Sequence, residues 1–155
     1  MAPHILVIDD DQDILLMLQD RLGFLGFEVT TANNGAEGMA ILKDTTINGM
    51  LLDIQMPVMD GLTMLKHIHE RCIYIPIIVM SAELNSKKMI EAIEQGANDY
   101  LRKPIAPDLL AKKCQSIFGS MSEAGTRTNL GSTKRKYSST RNIKGYHHAT
   151  YPHCG

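Results

Sequence analysis

What most limits the folds open to this chain is an alternation. Short apolar runs at residues 5–8, 27–31, 50–54, 75–80 and 100–101 are each followed by a stretch of helical periodicity. The runs are rich in Ile, Val, Leu and Met, the composition of strands covered on both faces. The first is followed by the stripe Leu15, Leu18, Leu22, Leu25, which Gly26 is placed to stop. Ala36, Met39, Ala40 and Lys43 follow the candidate cap Asn34, and Leu62, Leu65, Ile68 and His69 follow Asp60-Gly61. Met89, Ile90, Ile93 and Gly96 follow Ser86, and Leu109, Leu110, Lys113 and Ile117 follow Pro107-Asp108. Five such β-then-α units predict an α/β domain: a doubly wound parallel sheet with right-handed crossovers and helices on both faces. Ligands of such sheets bind beyond the carboxyl ends of the strands, beside a reversal of strand order. The residues in those places are Asp9-Asp10-Asp11, Asp53, Ser81 and Lys103.

The periodicity stops at Phe118. Residues 119–155 are rich in Ser, Thr, Gly and basic side chains, and Leu130 and Ile143 are the only large aliphatics beyond Met121. Charge divides at the same place: residues 1–120 hold 10 Lys+Arg against 16 Asp+Glu, and residues 121–155 hold 6 against 1. The expectation is a folded acidic domain over 1–120 and a basic, Ser/Thr-rich, disordered tail over 121–155, which has too little apolar surface to offset ordering. Lys134-Arg135-Lys136, with Arg127, Arg141 and Lys144, suits an acidic partner or nucleic acid, but a solvated tail is the plainer reading. Tyr137, Tyr146 and Tyr151 form no stacking platform, and His147, His148, His153 and Cys154 match no common zinc spacing. No apolar run approaches the roughly 20 residues of a membrane span, and the N-terminus lacks the pattern of a secretory signal. Cys72, Cys114 and Cys154 are odd in number and without CxxC spacing, which argues against a disulfide framework and for a reduced, cytoplasmic protein.

Carboxylates at the ends of the first and third strands imply that Asp9, Asp10 and Asp53 converge. Carboxylates held close together resist ionisation unless a cation neutralises them. Oxygen ligands without nearby His or Cys favour a hard ion, Mg²⁺ with Mn²⁺ as the alternative. Asp11, followed by Gln12-Asp13-Ile14, reads as a helix cap.

These residues resemble a known family. Ile5-Leu6-Val7-Ile8-Asp9-Asp10-Asp11, then Leu51-Leu52-Asp53-Ile54-Gln55-Met56-Pro57-Val58-Met59-Asp60-Gly61, then Val79-Met80-Ser81-Ala82, then Asp99-Tyr100-Leu101-Arg102-Lys103-Pro104 look like the receiver domain of two-component response regulators. The resemblance runs from residue 4 to about residue 118 and implies a flavodoxin-like five-stranded sheet of order 2-1-3-4-5, an order the family shares with other doubly wound proteins. It implies Asp53 as phosphoacceptor from a sensor histidine kinase or a histidine phosphotransfer protein. Asp10, Asp53 and the backbone carbonyl of Gln55 would bind Mg²⁺ directly, and Asp9 through water. Lys103 would stabilise the transferring phosphoryl group, and its bond to Pro104 is expected to be cis. Ser81 and Tyr100 would be the switch pair, with Ser81 donating to the phosphoryl group and Tyr100 turning inward. A cap for the following helix is the bland alternative for Ser81, and half-buried packing for Tyr100. Gln55 and Glu83 would modulate phosphoryl lifetime, and the small Ala82 would leave room for the group. Asn48-Gly49 departs from the family's usual turn there, and Val58 stands where glycine is frequent. No small-molecule substrate is expected, only self-catalysed phosphorylation and slow autodephosphorylation.

After residue 118 no helix-turn-helix pattern follows, so the expectation is a stand-alone, chemotaxis-type receiver without a DNA-binding domain. It would signal through the face built by the fourth helix, fifth strand and fifth helix, as a monomer or a phosphorylation-dependent dimer. Two other chemistries fit these residues less well. A haloacid-dehalogenase-type phosphohydrolase would use Asp9 as nucleophile and Asp11 as general acid, but its later acidic pair is missing and the Asp53 motif is left unexplained. A nucleotide-binding domain would need a glycine-rich turn where three aspartates stand. A receiver fold acting purely as a binding module finds no support, since every pocket position holds a competent residue.

Overall fold

The computed structural model describes residues 2–56, 58–83 and 86–119. Elements alternate along the chain: β1 (His4–Ile8), α1 (Gln12–Phe24), β2 (Glu28–Ala32), α2 (Gly35–Asp44), β3 (Gly49–Asp53), α3 (Gly61–Glu70), β4 (Ile77–Ser81), α4 (Ser86–Glu94), β5 (Asp99–Arg102) and α5 (Pro107–Cys114). A π-helical turn, Gln115–Gly119, continues α5. The strands form one parallel sheet of order β2-β1-β3-β4-β5. The expected flavodoxin-like arrangement is therefore present. The reversal in strand order falls between β1 and β3, the strands that end in Asp9 and Asp53. The pairings Ile8↔Leu52, Asp53↔Met80 and Ser81↔Arg102 keep the strand ends level, which brings distant residues to one rim.

Two apolar layers sandwich the sheet. Leu6, Ile8, Met50, Leu52, Ile77 and Val79 face α2, α3 and α4, whereas Ile5, Val7, Leu51, Ile78, Met80 and Leu101 face α1 and α5. The alternation is that of a strand's two faces, and it makes β1, β3 and β4 apolar throughout. The helices begin where local hydrogen bonding stops the strands. Asp11 caps α1 by accepting from the Asp13 and Ile14 amides, Asn34 caps α2, and Asp60 caps α3. Gly26 has φ +97°, in the left-handed region that ends the α1 turn at low cost.

Several details differ from the sequence reading. β4 starts at Ile77 and not at residue 75, since Pro76 has no amide to donate and contributes only its carbonyl, to Met50. Phe27 belongs to the turn, donating to the Leu22 carbonyl, so β2 starts one residue later. β2 and β5 are edge strands and carry half-exposed side chains, so burial on both faces holds only for the middle three. The inward face of α2 is Gly35 and Gly38 with Met39 and Leu42 beside them, while Ala36, Ala40 and Lys43 are exposed. Ile90 and Leu109 likewise face outward, and Ala92 and Cys114 take the inward positions. Cys114 is a free, buried thiol that burial pushes up to about 12. The Lys103–Pro104 bond is cis. Among the described residues no helix is long and apolar enough to cross a membrane. The expected tail over 121–155, with its basic cluster, tyrosines and His/Cys group, lies outside the described residues.

Gly61 is the tightest fixture near the strand rim. A Cβ there would sit 2.4 Å from the Asp53 carbonyl oxygen and 2.7 Å from the Ile54 Cα, both backbone atoms that no rotamer change can move. We expect Gly61→Ala to lose about 1–3 kcal/mol through this overpacking, measured by urea denaturation. Gly23, helical with nothing within 4 Å of a built Cβ, is the control; Gly23→Ala is expected to gain up to about 1 kcal/mol. Equal effects of the two substitutions would contradict the packing account.

Candidate functional site

The rim formed by the ends of β1, β3 and β5 holds the acidic cluster. Asp9 is fully buried and Asp53 is 2% exposed, while Asp10 is open to solvent. Oxygens of Asp9, Asp10 and Asp53 lie within 4.8 Å of one another. Lys103, just past β5, inserts its ammonium between the two buried carboxylates, 2.7 Å from Asp9 Oδ2 and 3.1 Å from Asp53 Oδ2. The remaining oxygens are held by backbone: the Asp11 amide donates to Asp9 Oδ1 at 2.9 Å, and the Gln55 amide to Asp53 Oδ1 at 3.0 Å. Asp9 Oδ2 makes no hydrogen bond of regular geometry, so the close ion pair is its compensation among the described residues.

The electrostatics follow from this arrangement. Three carboxylates face one ammonium, which leaves an excess of negative charge. Burial first, and the Asp9 charge second, push Asp53 up to about 6 against the opposing pull of the Gln55 amide and Lys103. Burial alone would lower Lys103, but its contacts with Asp9 and Asp53 outweigh burial and raise it, keeping the ammonium charged. A cation would relieve the excess. Around Mg²⁺, octahedral oxygens at about 2.1 Å stand about 3–4.2 Å apart, so carboxylate oxygens already within 4.8 Å of one another need only a small approach to share such an ion, with water filling the rest of its shell. The donor set and the under-satisfied Asp9 oxygen fit a hard divalent ion, with Asp9, Asp10 and Asp53 as its holders.

Two loops frame the cluster. Ser81, 1% exposed at the end of β4, donates its hydroxyl proton to the Glu83 carbonyl at 2.7 Å and accepts from the Glu83 amide at 3.1 Å. It closes a local turn and is not the cap of α4, which begins only at Ser86. The Gln55 carboxamide donates to Glu83 Oε1 at 2.6 Å, joining the β3–α3 and β4–α4 loops across the mouth of the site. Ala82 is exposed beside Ser81. Val58 stands at φ +71° and 86% exposed, a left-handed position that costs a β-branched residue about 1–2 kcal/mol and that glycine would fill freely.

The predicted residues Asp9, Asp10, Asp53 and Lys103 are thus brought together, with Ser81, Gln55 and Glu83 around them. Tyr100 is apart, 38% exposed on the outer edge of the sheet. Reading the sequence missed Lys113, counted as one member of a helical stripe, whose ammonium reaches Asp99, the Tyr100 carbonyl and the Tyr100 ring. The available signal was charge: a lysine in α5 facing the acidic start of the strand before it.

Comparison with known proteins agrees with this geometry. The family profile described as response regulator receiver domain matches residues 5–115. Transcriptional regulatory protein PrrA of Mycobacterium leprae is 38% identical over 112 residues, 72% of this chain and 48% of the relative. The chain spans about half the length of the curated relatives it matches. The receiver domain of the Francisella response regulator 1452 superposes with a TM-score of 0.72 at 28% identity, covering 77% of this chain and 98% of the other. Chemotaxis protein CheY4 of Vibrio cholerae gives 0.72 at 29%, covering 76% and 99%.

The raised Asp53 predicts a pH dependence of stability in metal-chelated buffer. The folded protein keeps a proton on Asp53 up to about 6, whereas an unfolded aspartate releases it near 3.8. Stability is therefore lost as pH rises between those values, and the full penalty is in place above them. Asp53→Asn is expected to exceed the parent by about 1–3 kcal/mol at pH 7.5 in urea denaturation, the gain vanishing near pH 4. A gain of the same size at both pH values would contradict the assignment.

Proposed function

Since the chain belongs to the response regulator receiver family of two-component systems, we propose that Asp53 accepts a phosphoryl group from the phosphohistidine of a sensor histidine kinase or a histidine phosphotransfer protein. The observation that carries this reading is the partly buried Lys103 ammonium, 3.1 Å from Asp53 Oδ2 and 2.7 Å from Asp9 Oδ2. An Asp53 carboxylate oxygen forms a bond to phosphorus as the P–N bond to the donor imidazole breaks, and the departing imidazole takes up a proton. The transferring group spreads negative charge over its oxygens, so fixed positive charge matters more than activation of the nucleophile. Lys103 supplies that charge without moving, because its contacts with Asp9 and Asp53 already place it. Asp53 is near-neutral about as often as ionised close to pH 6, so ionisation of the nucleophile improves above that value.

Asp10, Asp53 and the Gln55 backbone carbonyl would hold Mg²⁺ directly, and Asp9 through water, with Mn²⁺ as a substitute. The ion would supply the second positive charge that a carboxylate-rich pocket needs in order to bind phosphoryl oxygens. Apart from a phosphoryl donor, the protein takes no small-molecule substrate; it catalyses its own phosphorylation and a slow autodephosphorylation. Gln55, Glu83 and Ala82 rim the group and set how water reaches it, a role supported by the Gln55–Glu83 hydrogen bond across the mouth.

The Ser81 hydroxyl then becomes the switch. Its proton goes to the Glu83 carbonyl at rest, and donation to a phosphoryl oxygen requires that turn to open and the loop to move toward Asp53. Tyr100 follows inward, reshaping the α4-β5-α5 face that a downstream protein, or a second copy of the chain, reads. A cytoplasmic location goes with this reading, since a phosphohistidine donor is made where ATP is available.

Two measurements test it. Mg²⁺-dependent labelling by radioactive acetyl phosphate is expected in the parent and absent in Asp53→Asn; wild-type stoichiometry in the variant would defeat the acceptor assignment. Asp10→Ala is expected to weaken Mg²⁺ binding roughly ten-fold or more by titration calorimetry, and unchanged affinity would remove Asp10 from the ion's direct ligands.

A further inference from the structure

Outside the acidic pocket, a group of polar contacts lies on an edge of the sheet. Among the described residues, β5 has β4 as its one strand neighbour. Leu101 packs into the layer of α1 and α5, so the adjacent Tyr100 carries its ring on the other face of the strand. Lys113 reaches from α5 around this edge. Its ammonium donates to the Tyr100 carbonyl oxygen at 2.6 Å and to Asp99 Oδ1 at 2.9 Å, and it stands 4.5 Å from the centroid of the Tyr100 ring. The Lys113 side chain is 19% exposed, so the ammonium is partly desolvated and its attraction to the ring face is stronger than at an open surface.

We propose that Lys113 is a positioning residue that holds the Tyr100 ring at the outer edge of β5 and so sets how readily the protein changes state when Asp53 is modified. The proposal rests on the phosphoacceptor reading for its consequence, although the ring contact stands on its own. Its logic is differential. Only an interaction that differs between two states shifts their balance. The hydrogen bonds to Asp99 and to the Tyr100 carbonyl involve groups that stay in place when a side chain rotates, so they anchor the ammonium in both states. The ring contact exists only while Tyr100 points outward, so it is what favours the resting state. Lys113 thereby links α5 to the aromatic residue of the switch, through a side chain remote from the pocket. The acidic group Lys113 faces on β5 is Asp99, and the neighbouring cation on its own helix is Lys112.

The test uses the full 155-residue chain labelled with 3-fluorotyrosine, the Tyr100 fluorine signal being identified by its loss in Tyr100→Phe. Beryllofluoride, a stand-in for a phosphoryl group on a carboxylate, is titrated with Mg²⁺ present. Lys113→Met is expected to lower the beryllofluoride midpoint about two- to five-fold, the equivalent of one partly exposed cation–ring contact. In the free variant, the Tyr100 signal should already lie toward its saturated position and relax less with a soluble gadolinium chelate. Lys113→Arg, which keeps a cation over the ring, should restore the wild-type midpoint. A Lys113→Met protein with wild-type midpoint and wild-type Tyr100 signal overturns the proposal. Should that variant fail to fold, Asp99→Asn removes the anchor of the ammonium instead and is expected to shift the midpoint in the same direction; no shift overturns the proposal. A wild type that ignores beryllofluoride sinks the phosphoacceptor reading. The free-state Tyr100 signals then decide the ring contact alone: a difference between Lys113→Met and wild type upholds it, and identity overturns it.

Discussion

Two like-charged carboxylates, Asp9 and Asp53, are buried side by side, and a single ammonium, Lys103, makes that tolerable. The fold around them is arranged to make this placement. The reversal between β1 and β3 sets the two aspartates next to each other, and β5 ends where Lys103 can reach both. Pairing Asp53 with Met80 and Ser81 with Arg102 places Ser81 one residue beyond the level of Asp53 at the same strand rim. Gly61 matters because α3 begins directly against the Asp53 carbonyl, so the Asp53 backbone is clamped there. Removing Lys103 would leave both carboxylates uncompensated, so the burial of Asp9 and Asp53 depends on that one cation.

The same charge arithmetic separates the competing chemistries. A dehalogenase-type hydrolase would attack through Asp9 and protonate through Asp11. Asp9 is sealed from solvent against Lys103, and both amides that Asp11 accepts belong to the first turn of α1. Asp9 therefore presents no free carboxylate to a substrate, and Asp11 is engaged as the cap of α1. Asp53 shares the cluster with exposed Asp10, and its β3–α3 loop is tied to the β4–α4 loop by the Gln55–Glu83 hydrogen bond. A pocket that still carries excess negative charge attracts a divalent cation and, once that charge is offset, accepts phosphoryl oxygens. A dinucleotide would meet the carboxylates directly, with no glycine-rich turn to cradle its phosphates.

Much of the fold and the centre of the site could be read from the residues, and the reason is physical. Parallel strands buried on both faces write themselves as apolar runs, and the side chains that follow them are where the chain leaves the core. Asp9, Asp53, Ser81 and Lys103 therefore stood out before any coordinates. Reading failed where packing runs through backbone or around an edge. The inward face of α2 is glycine, because a side chain at Gly38 would strike Ile8 at 2.4 Å, and a stripe built from apolar side chains cannot register a face that works by lacking them. Lys113 escaped notice for a related reason: a lysine at helical spacing reads as solvated until the strand edge beside it is known. Ser81 was half legible. Its place at the end of β4 was clear, but its bonds to Glu83 depend on a turn that sequence periodicity does not encode. Val58 occupies a left-handed position that residue type argues against, so the frequent glycine of the resemblance carried more information there than propensity did.

The most direct test of the central claim is to locate the acyl phosphate chemically. Protein phosphorylated in Mg²⁺ is treated with borohydride, which reduces an aspartyl phosphate to homoserine, and peptide mass spectrometry finds the altered residue. The account predicts homoserine at position 53 alone, lost when Mg²⁺ is chelated. Homoserine at position 9 or 10, or a yield at 53 that is indifferent to the metal, would contradict it.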